Sequence, residues 1–152
     1  MKITLANKTN RKKIRQFYKC QRYSVRFMGL DNCYYIEKNN LIIASVIISK
    51  INKTNNQHFL HALAVDVNYQ GQGIATLLLQ HVQKNHQPLV CFAAQELSYL
   101  YLQSNMKEIQ SNYLEAQLND ILFSRFIQYK RNKKFLKAFI STQHDVIHPV
   151  TT

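Results

Sequence analysis

The chain has 152 residues, 46% of them hydrophobic, and carries 20 Lys and Arg against 8 Asp and Glu, a formal charge of +12. That length and apolar content suffice for one domain spanning residues 1–152 with its own core, residues 142–152 reading as a loose tail. The longest apolar run, Leu41 to Ile48, is broken by Ser45 and far too short to cross a bilayer, while Cys20, Cys33 and Cys91 form no CxxC pair. These features argue against membrane insertion, a disulfide framework and a zinc site, so the expectation is a cytoplasmic protein with free thiols and no metal.

Only three glycines and two prolines punctuate the chain, so element boundaries rest on periodicity. Lys2 to Ala6 alternates as a strand. Asn7 or Thr9 can then cap a helix carrying Ile14, Phe17, Tyr18 and Val25 on one face as far as Gly29. Cys33 to Glu37 and Leu41 to Ile51 read as a hairpin turning through Lys38-Asn39-Asn40. A polar loop, Asn52 to Gln57, leads to a third strand, His58 to Val67. At Tyr69-Gln70-Gly71-Gln72-Gly73 the period changes from two to helical, with Ile74, Leu77, Leu78, His81 and Val82 on one face. Pro88 opens a strand from Leu89 to Ala93. Glu96 to Ser104 reads as a helix ended by Asn105, a residue tolerant of left-handed backbone, and Lys107 to Gln110 as strand. Asn112 and Glu115 have the spacing of a capping box for a helix from Tyr113 to Arg131, bearing Leu114, Leu118, Ile121, Leu122 and Tyr129. Phe135 to Ser141 alternates loosely and returns to the sheet. The order predicts an α/β fold, a mixed sheet with helices on both faces.

The segment with chemical content is the turn where strand meets helix. The first N–H groups of a helix have no internal partner and lie at the positive end of its dipole, so they bind phosphate oxygens. Gly71 and Gly73, two of the three glycines, let a pyrophosphate approach without a Cβ in the way. A dinucleotide fingerprint would need a third glycine where Thr76 stands, and a P-loop would need a lysine after Gly73. A plain glycine-rich turn is the remaining alternative.

The stretch LAVDVNYQGQGIATLLL resembles the cofactor motif of the GNAT superfamily of acyl-CoA N-acyltransferases, Gln/Arg-x-x-Gly-x-Gly/Ala after a strand ending in an LAV-like triplet. Gln70, Gly73 and Ala75 fill its fixed positions, and the triplet is Leu63-Ala64-Val65. More loosely the likeness covers residues 2–110. The resemblance implies a mixed, mostly antiparallel sheet flanked by helices, and acetyl-CoA as co-substrate. Leu63, Ala64 and Val65 would hydrogen-bond the pantetheine arm as an added strand. Gln70, Gly71, Gln72, Gly73, Ile74, Ala75 and Thr76 would hold the pyrophosphate. The implied reaction is direct attack of a primary amine, on a small molecule or a peptide, through a ternary complex; edge strands near the C-terminus of such folds often pair across homodimers.

Acetyl transfer requires a neutral amine, stabilisation of the tetrahedral oxyanion and a proton for the departing thiolate. By the resemblance, the proton donor is a Tyr in a pattern like FY-x-x-x-GF, which Leu100-Tyr101-Leu102-Gln103-Ser104-Asn105-Met106 matches with Asn105 for Gly and Met106 for Phe. Tyr101 is the candidate, with Tyr99 as its substitute. Relatives often carry a His or Glu on the motif strand as base or water relay, in one of them within an HxHxLAV-like stretch. His61 matches the second His and Phe59 stands at the first; His61 is the candidate base, and a structural histidine is the alternative. A backbone N–H near Val65 would face the oxyanion.

After Ile109 the likeness thins, because the helix from Tyr113 to Arg131 stands where relatives have a strand hairpin that walls the acceptor site. Charge concentrates in two clusters, Lys8 to Arg26 and Lys130 to Lys137. Neither has the aromatic spacing of an RNA-binding motif, so nucleic acid is not the favoured partner. The alternative function is a catalytically weak basic module of the same fold that binds RNA or another polyanion. The positive surface disfavours highly cationic acceptors.

Overall fold

A computed structural model of the chain describes residues 1–24, 31–51 and 57–141. In order the elements are β1 (Ile3–Leu5), α1 (Arg11–Cys20), β2 (Asn32–Lys38), β3 (Leu41–Lys50), β4 (His58–Val65), α2 (Ile74–Asn85), β5 (Leu89–Ala94), α3 (Ser98–Gln103), β6 (Met106–Glu108), α4 (Leu114–Gln117), α5 (Asp120–Lys130) and β7 (Leu136–Ser141). One seven-stranded sheet runs β1-β2-β3-β4-β5-β7-β6. Its pairs are antiparallel except β4 with β5. The mixed, mostly antiparallel sheet read from the sequence is therefore what forms.

Local chemistry sets the boundaries. Asn39 and Asn40 have φ of 54° and 66°, the two positive values that a type I′ hairpin needs, and asparagine tolerates them better than most residues. Asn7 accepts from the Thr9 N–H at 2.9 Å while Asn10 accepts from the Asn7 N–H at 3.0 Å, a reciprocal cap over one 3-10 turn ahead of α1. α1 then stops at Cys20, well short of the expected Gly29, because the chain turns through Arg22 at φ 63°. Val25 and Gly29 lie outside the described residues.

Helices cover both faces. Against one, Ile14, Phe17 and Tyr18 of α1 pack on Cys33, Tyr35 and Ile47, and farther along Leu118, Leu122 and Phe126 pack on Phe59, Val90 and Ala138. Against the other, α2 and α3 bring Ile74, Leu78, Leu79, Val82 and Tyr101 onto Tyr34, Ile36, Val46, Ile48 and Leu60. Each aliphatic side chain so buried contributes roughly 1.5–3 kcal/mol. The buried face of α2 is rotated from the one expected. Leu79 is inside and Leu77 is 37% exposed, since three consecutive leucines leave the facing ambiguous until the sheet selects it.

The expected single helix from Tyr113 is two. Tyr113 occupies the cap position of α4 without a side-chain bond, so the Asn112–Glu115 box does not form. The chain breaks at Leu118 and restarts where Asn119 accepts from the Leu122 N–H at 2.8 Å, a cap whose removal costs about 0.5–2 kcal/mol in comparable sites. Gln57, at the foot of β4, clasps the break: its Nε2 donates to the Gln117 carbonyl at 2.6 Å and its Oε1 accepts from the Asn119 N–H at 2.9 Å. Among the described residues no helix is long and apolar enough to cross a membrane.

Candidate active site

The site begins with an irregularity in β4. Ser45 faces Ala64 and Ile47 faces His61, so three steps along β4 match two along β3. The extra residue is a bulge in which Ala62 takes φ 56°. Tyr18 Oη, reaching from α1, donates to the Ala62 carbonyl at 2.7 Å and steadies the distortion. β4 keeps register with β5 only from His58 to Leu60. Beyond Leu60 the parallel strands part, opening a cleft of about 500 Å³ with His61 and Leu63 on one wall and Phe92 and Ala93 on the other.

The cleft leads along β4 to the glycine turn. Asp66 accepts from the Asn68 N–H at 2.9 Å and sets a 3-10 turn, and Gln70 Nε2 donates to the Val65 carbonyl at 3.0 Å, tying the loop to the strand end. Gly71 and Gly73 adopt φ of 78° and 80°, conformations that side chains disfavour. Gly73 caps α2 without a side-chain bond, and the first helical bond is Leu77 N–H to the Gly73 carbonyl at 3.0 Å. The N–H groups of Ile74, Ala75 and Thr76 thus precede the helical ladder at the positive end of its dipole. A Cβ added at either glycine meets no protein atom within 4 Å, so the space over the turn is open. Val65, Gln70, Gly71, Gly73, Ile74, Ala75, Thr76 and Leu100 line a hollow of about 220 Å³ there. The predicted residues gather with two distinctions. Ala64 turns its side chain to the α1 face and offers the site only backbone, and Gln72 is exposed outside the hollow. An open strand edge followed by bare N–H groups and two positions without Cβ suits an extended chain that ends in pyrophosphate.

Tyr101 and His61 reach the cleft from opposite layers. Tyr101 is 5% exposed and stacks on Phe139 at 5.2 Å, and burial, then the neighbouring Cys91 and Tyr23, push its phenol above the ordinary value. It therefore stays protonated at neutral pH. Asn105 ends this segment at φ 65°, so the backbone path survives where glycine is usual. Tyr99 is 71% exposed and bonded to Gln103, outside the cleft. His61 shares a hydrogen bond with Ser49 Oγ at 2.9 Å and stacks on Phe59. Burial lowers its pKa, Asp31 opposes the shift and Arg125 adds to it, so the imidazole is neutral near pH 7.

Two further histidines sit across the sheet. His58 and His86 lie 5.2 Å apart, and His86 Nε2 pairs with Tyr34 Oη at 2.8 Å. Burial lowers the pKa of both, with Lys50 adding at His58, and His58 and His81 adding at His86. The unfolded chain binds these protons near the ordinary value of about 6.5, whereas the folded chain binds them only at lower pH. Stability is therefore complete above that value and falls as pH drops through it. The urea midpoint is expected to be lower at about pH 5.5 than at about pH 7.5, with a shallower fall in His86→Gln; equal wild-type midpoints contradict the reading.

Several lining residues escaped sequence reasoning: Tyr23, Phe92, Arg125, Tyr129 and Lys133. Arg125, Tyr129 and Lys133 come from α5 and its exit, and the only sequence signal for them was the departure of that segment from the family pattern. Among the described residues no group of three or more His, Cys, Asp or Glu side chains is placed to hold a metal ion.

The acetyltransferase (GNAT) family model matches residues 6–109. No curated protein sequence matches significantly. Solved structures do. A variant of spermidine N-acetyltransferase SpeG from Vibrio cholerae aligns at 12% identity over 94% of this chain and 95% of its own, with a TM-score of 0.65. Rv2747 from Mycobacterium tuberculosis, in complex with CoA, aligns at 12% over 93% and 99%, TM-score 0.65. Tetrahymena GCN5 aligns at 15% over 97% and 99%, TM-score 0.64. At such identities these neighbours speak for the shared fold.

Proposed function

Because the chain belongs to the acetyltransferase (GNAT) family, we propose that it transfers the acetyl group of acetyl-CoA to a primary amine, the two substrates bound together. The observation that carries the reading is adjacency: the edge of β4 that β5 leaves open beyond Leu60 leads, through one 3-10 turn, to Gly71 and Gly73, and Tyr101 lines the same cleft. The backbone of Leu63 to Val65 would pair with the pantetheine amides, and the N–H groups from Gly71 to Thr76 would take the pyrophosphate.

The chain's own groups then have definable tasks. The amine nitrogen attacks the thioester carbonyl, and a backbone N–H near Val65 faces the oxyanion. Neutral His61, directly or through a water, accepts the proton that the nitrogen loses. As the C–S bond breaks, Tyr101 Oη donates a proton to the sulfur, leaving CoA as a thiol. Before the next cycle the His61 imidazolium gives up its proton and the Tyr101 phenolate regains one, both through solvent, so the proton lost by nitrogen balances the one gained by sulfur.

Thermal denaturation with and without acetyl-CoA tests the reading. At a hundredfold excess over Kd, a single site adds about 2.7 kcal/mol, a rise in Tm of roughly 5–10 °C for a domain of this size. An oligonucleotide serves as the second arm. Stabilisation by the oligonucleotide and none by acetyl-CoA would replace the enzyme with a polyanion-binding module.

A further inference from the structure

Resting on that reading, we propose that the acceptor is an amine bearing a carboxylate on an apolar body, the chemistry of an apolar α-amino acid, with Arg125 as the carboxylate's partner.

The acceptor half of the cleft lies beyond the splayed strands, under α5. Its floor is aromatic: Phe59 meets Phe92 at a tilt with ring centres 4.9 Å apart, and Tyr129 meets Phe92 edge-on at 6.2 Å. Half-buried Arg125 lays its guanidinium 5.6 Å from the Phe59 ring centre, so its stem and charge are held over that floor. Lys133, just past α5, adds a second positive group to the lining, and among the described lining residues there is no Asp or Glu. Asp31 acts on His61 from outside the lining.

This charge pattern decides between acceptor classes. An acceptor of the polyamine kind would carry additional ammonium groups past Arg125 and Lys133 and find no carboxylate there. A carboxylate is the complementary group, and a guanidinium fork can hold both of its oxygens. The same two cations disfavour protonation of the nearby amine, which must be neutral to attack. Apart from the Tyr129 hydroxyl, the aromatic floor supplies contact area for an apolar substituent and no hydrogen-bonding partner for a polar one.

Free-thiol release is measured with the whole protein and acetyl-CoA on four sets of amines: apolar α-amino acids, their α-carboxamides, phosphoethanolamine and spermidine. The expectation is a kcat/KM at least about tenfold higher for the acids than for the amides. Arg125→Met keeps the stem over Phe59 and removes the charge. It is expected to raise KM for the acids by about 10- to 100-fold, with little change for the amides and none in KM for acetyl-CoA. Equal or better use of amides or spermidine, preference for phosphoethanolamine, or no turnover of any acid overturns the proposal. So does an Arg125→Met effect that falls on acetyl-CoA instead of the acceptor. Acetyl-CoA stabilisation in the thermal experiment separates this failure from failure of the enzyme reading itself.

Discussion

Tyr101→Phe is expected to lower kcat by about 10²- to 10³-fold while leaving acetyl-CoA affinity and thermal stability near those of the wild type. The phenylalanine keeps the ring that stacks on Phe139, so the core contact survives and only Oη is lost. What disappears is a proton source held in an apolar wall, where burial pushes the phenol above its ordinary value and so favours the protonated form. The comparison of interest is between steps. A variant that still binds acetyl-CoA but turns over slowly has lost transition-state stabilisation, not ground-state binding. Wild-type turnover would remove Tyr101 from the mechanism and turn attention to water in the cleft.

Gly73→Val is expected to weaken acetyl-CoA binding by about 100-fold or more, with Gly73→Ala intermediate. Two effects combine and can be separated. At φ 80° any L-residue is strained, at a cost on the order of 1–2 kcal/mol and more for a branched one, which appears as a drop in Tm of a few degrees. The new Cβ touches no protein atom, so packing adds nothing to that cost. The rest of the loss falls on the ligand, whose pyrophosphate would need the space the side chain now fills. Calorimetric titration of the folded variants with acetyl-CoA reads this directly. Unchanged affinity in a folded Gly73→Val protein would mean that the turn is only a connector.

The parts of this molecule that were legible in its sequence are those where local rules decide. The Asn39-Asn40 turn, the strand at His58, the glycine helix start and the left-handed Asn105 all follow from residue preference and periodicity, and the structure places each within a few residues. The misreadings arise elsewhere. The break at Leu118 is held by a tertiary partner, Gln57, and no window of neighbouring residues contains that information, while α1 ends at Cys20 on a left-handed turn at Arg22, a residue type that does not announce one. The bulge at Ala62 is likewise invisible in an alternating HFLHALAV, because it depends on a phenol 44 positions away in Tyr18. In the candidate site the same division holds. The glycine turn is contiguous in sequence and its shape was readable there, whereas Arg125 and Phe92 come together only when α5 folds over β5.

The position of β7 has a consequence for how the chain is made. The last strand of the described sheet lies between β5 and β6, both of which precede it. During synthesis β6 has no strand to pair with until residues 136–141 leave the ribosome, and β5 waits with one open edge. Closing that gap joins segments separated by α3, α4 and α5, an entropic cost met late by the contacts of α5 and β7 together. The completed sheet and the α5 side of the cleft therefore both wait on residues 120–141, whereas the glycine turn lies in chain already made.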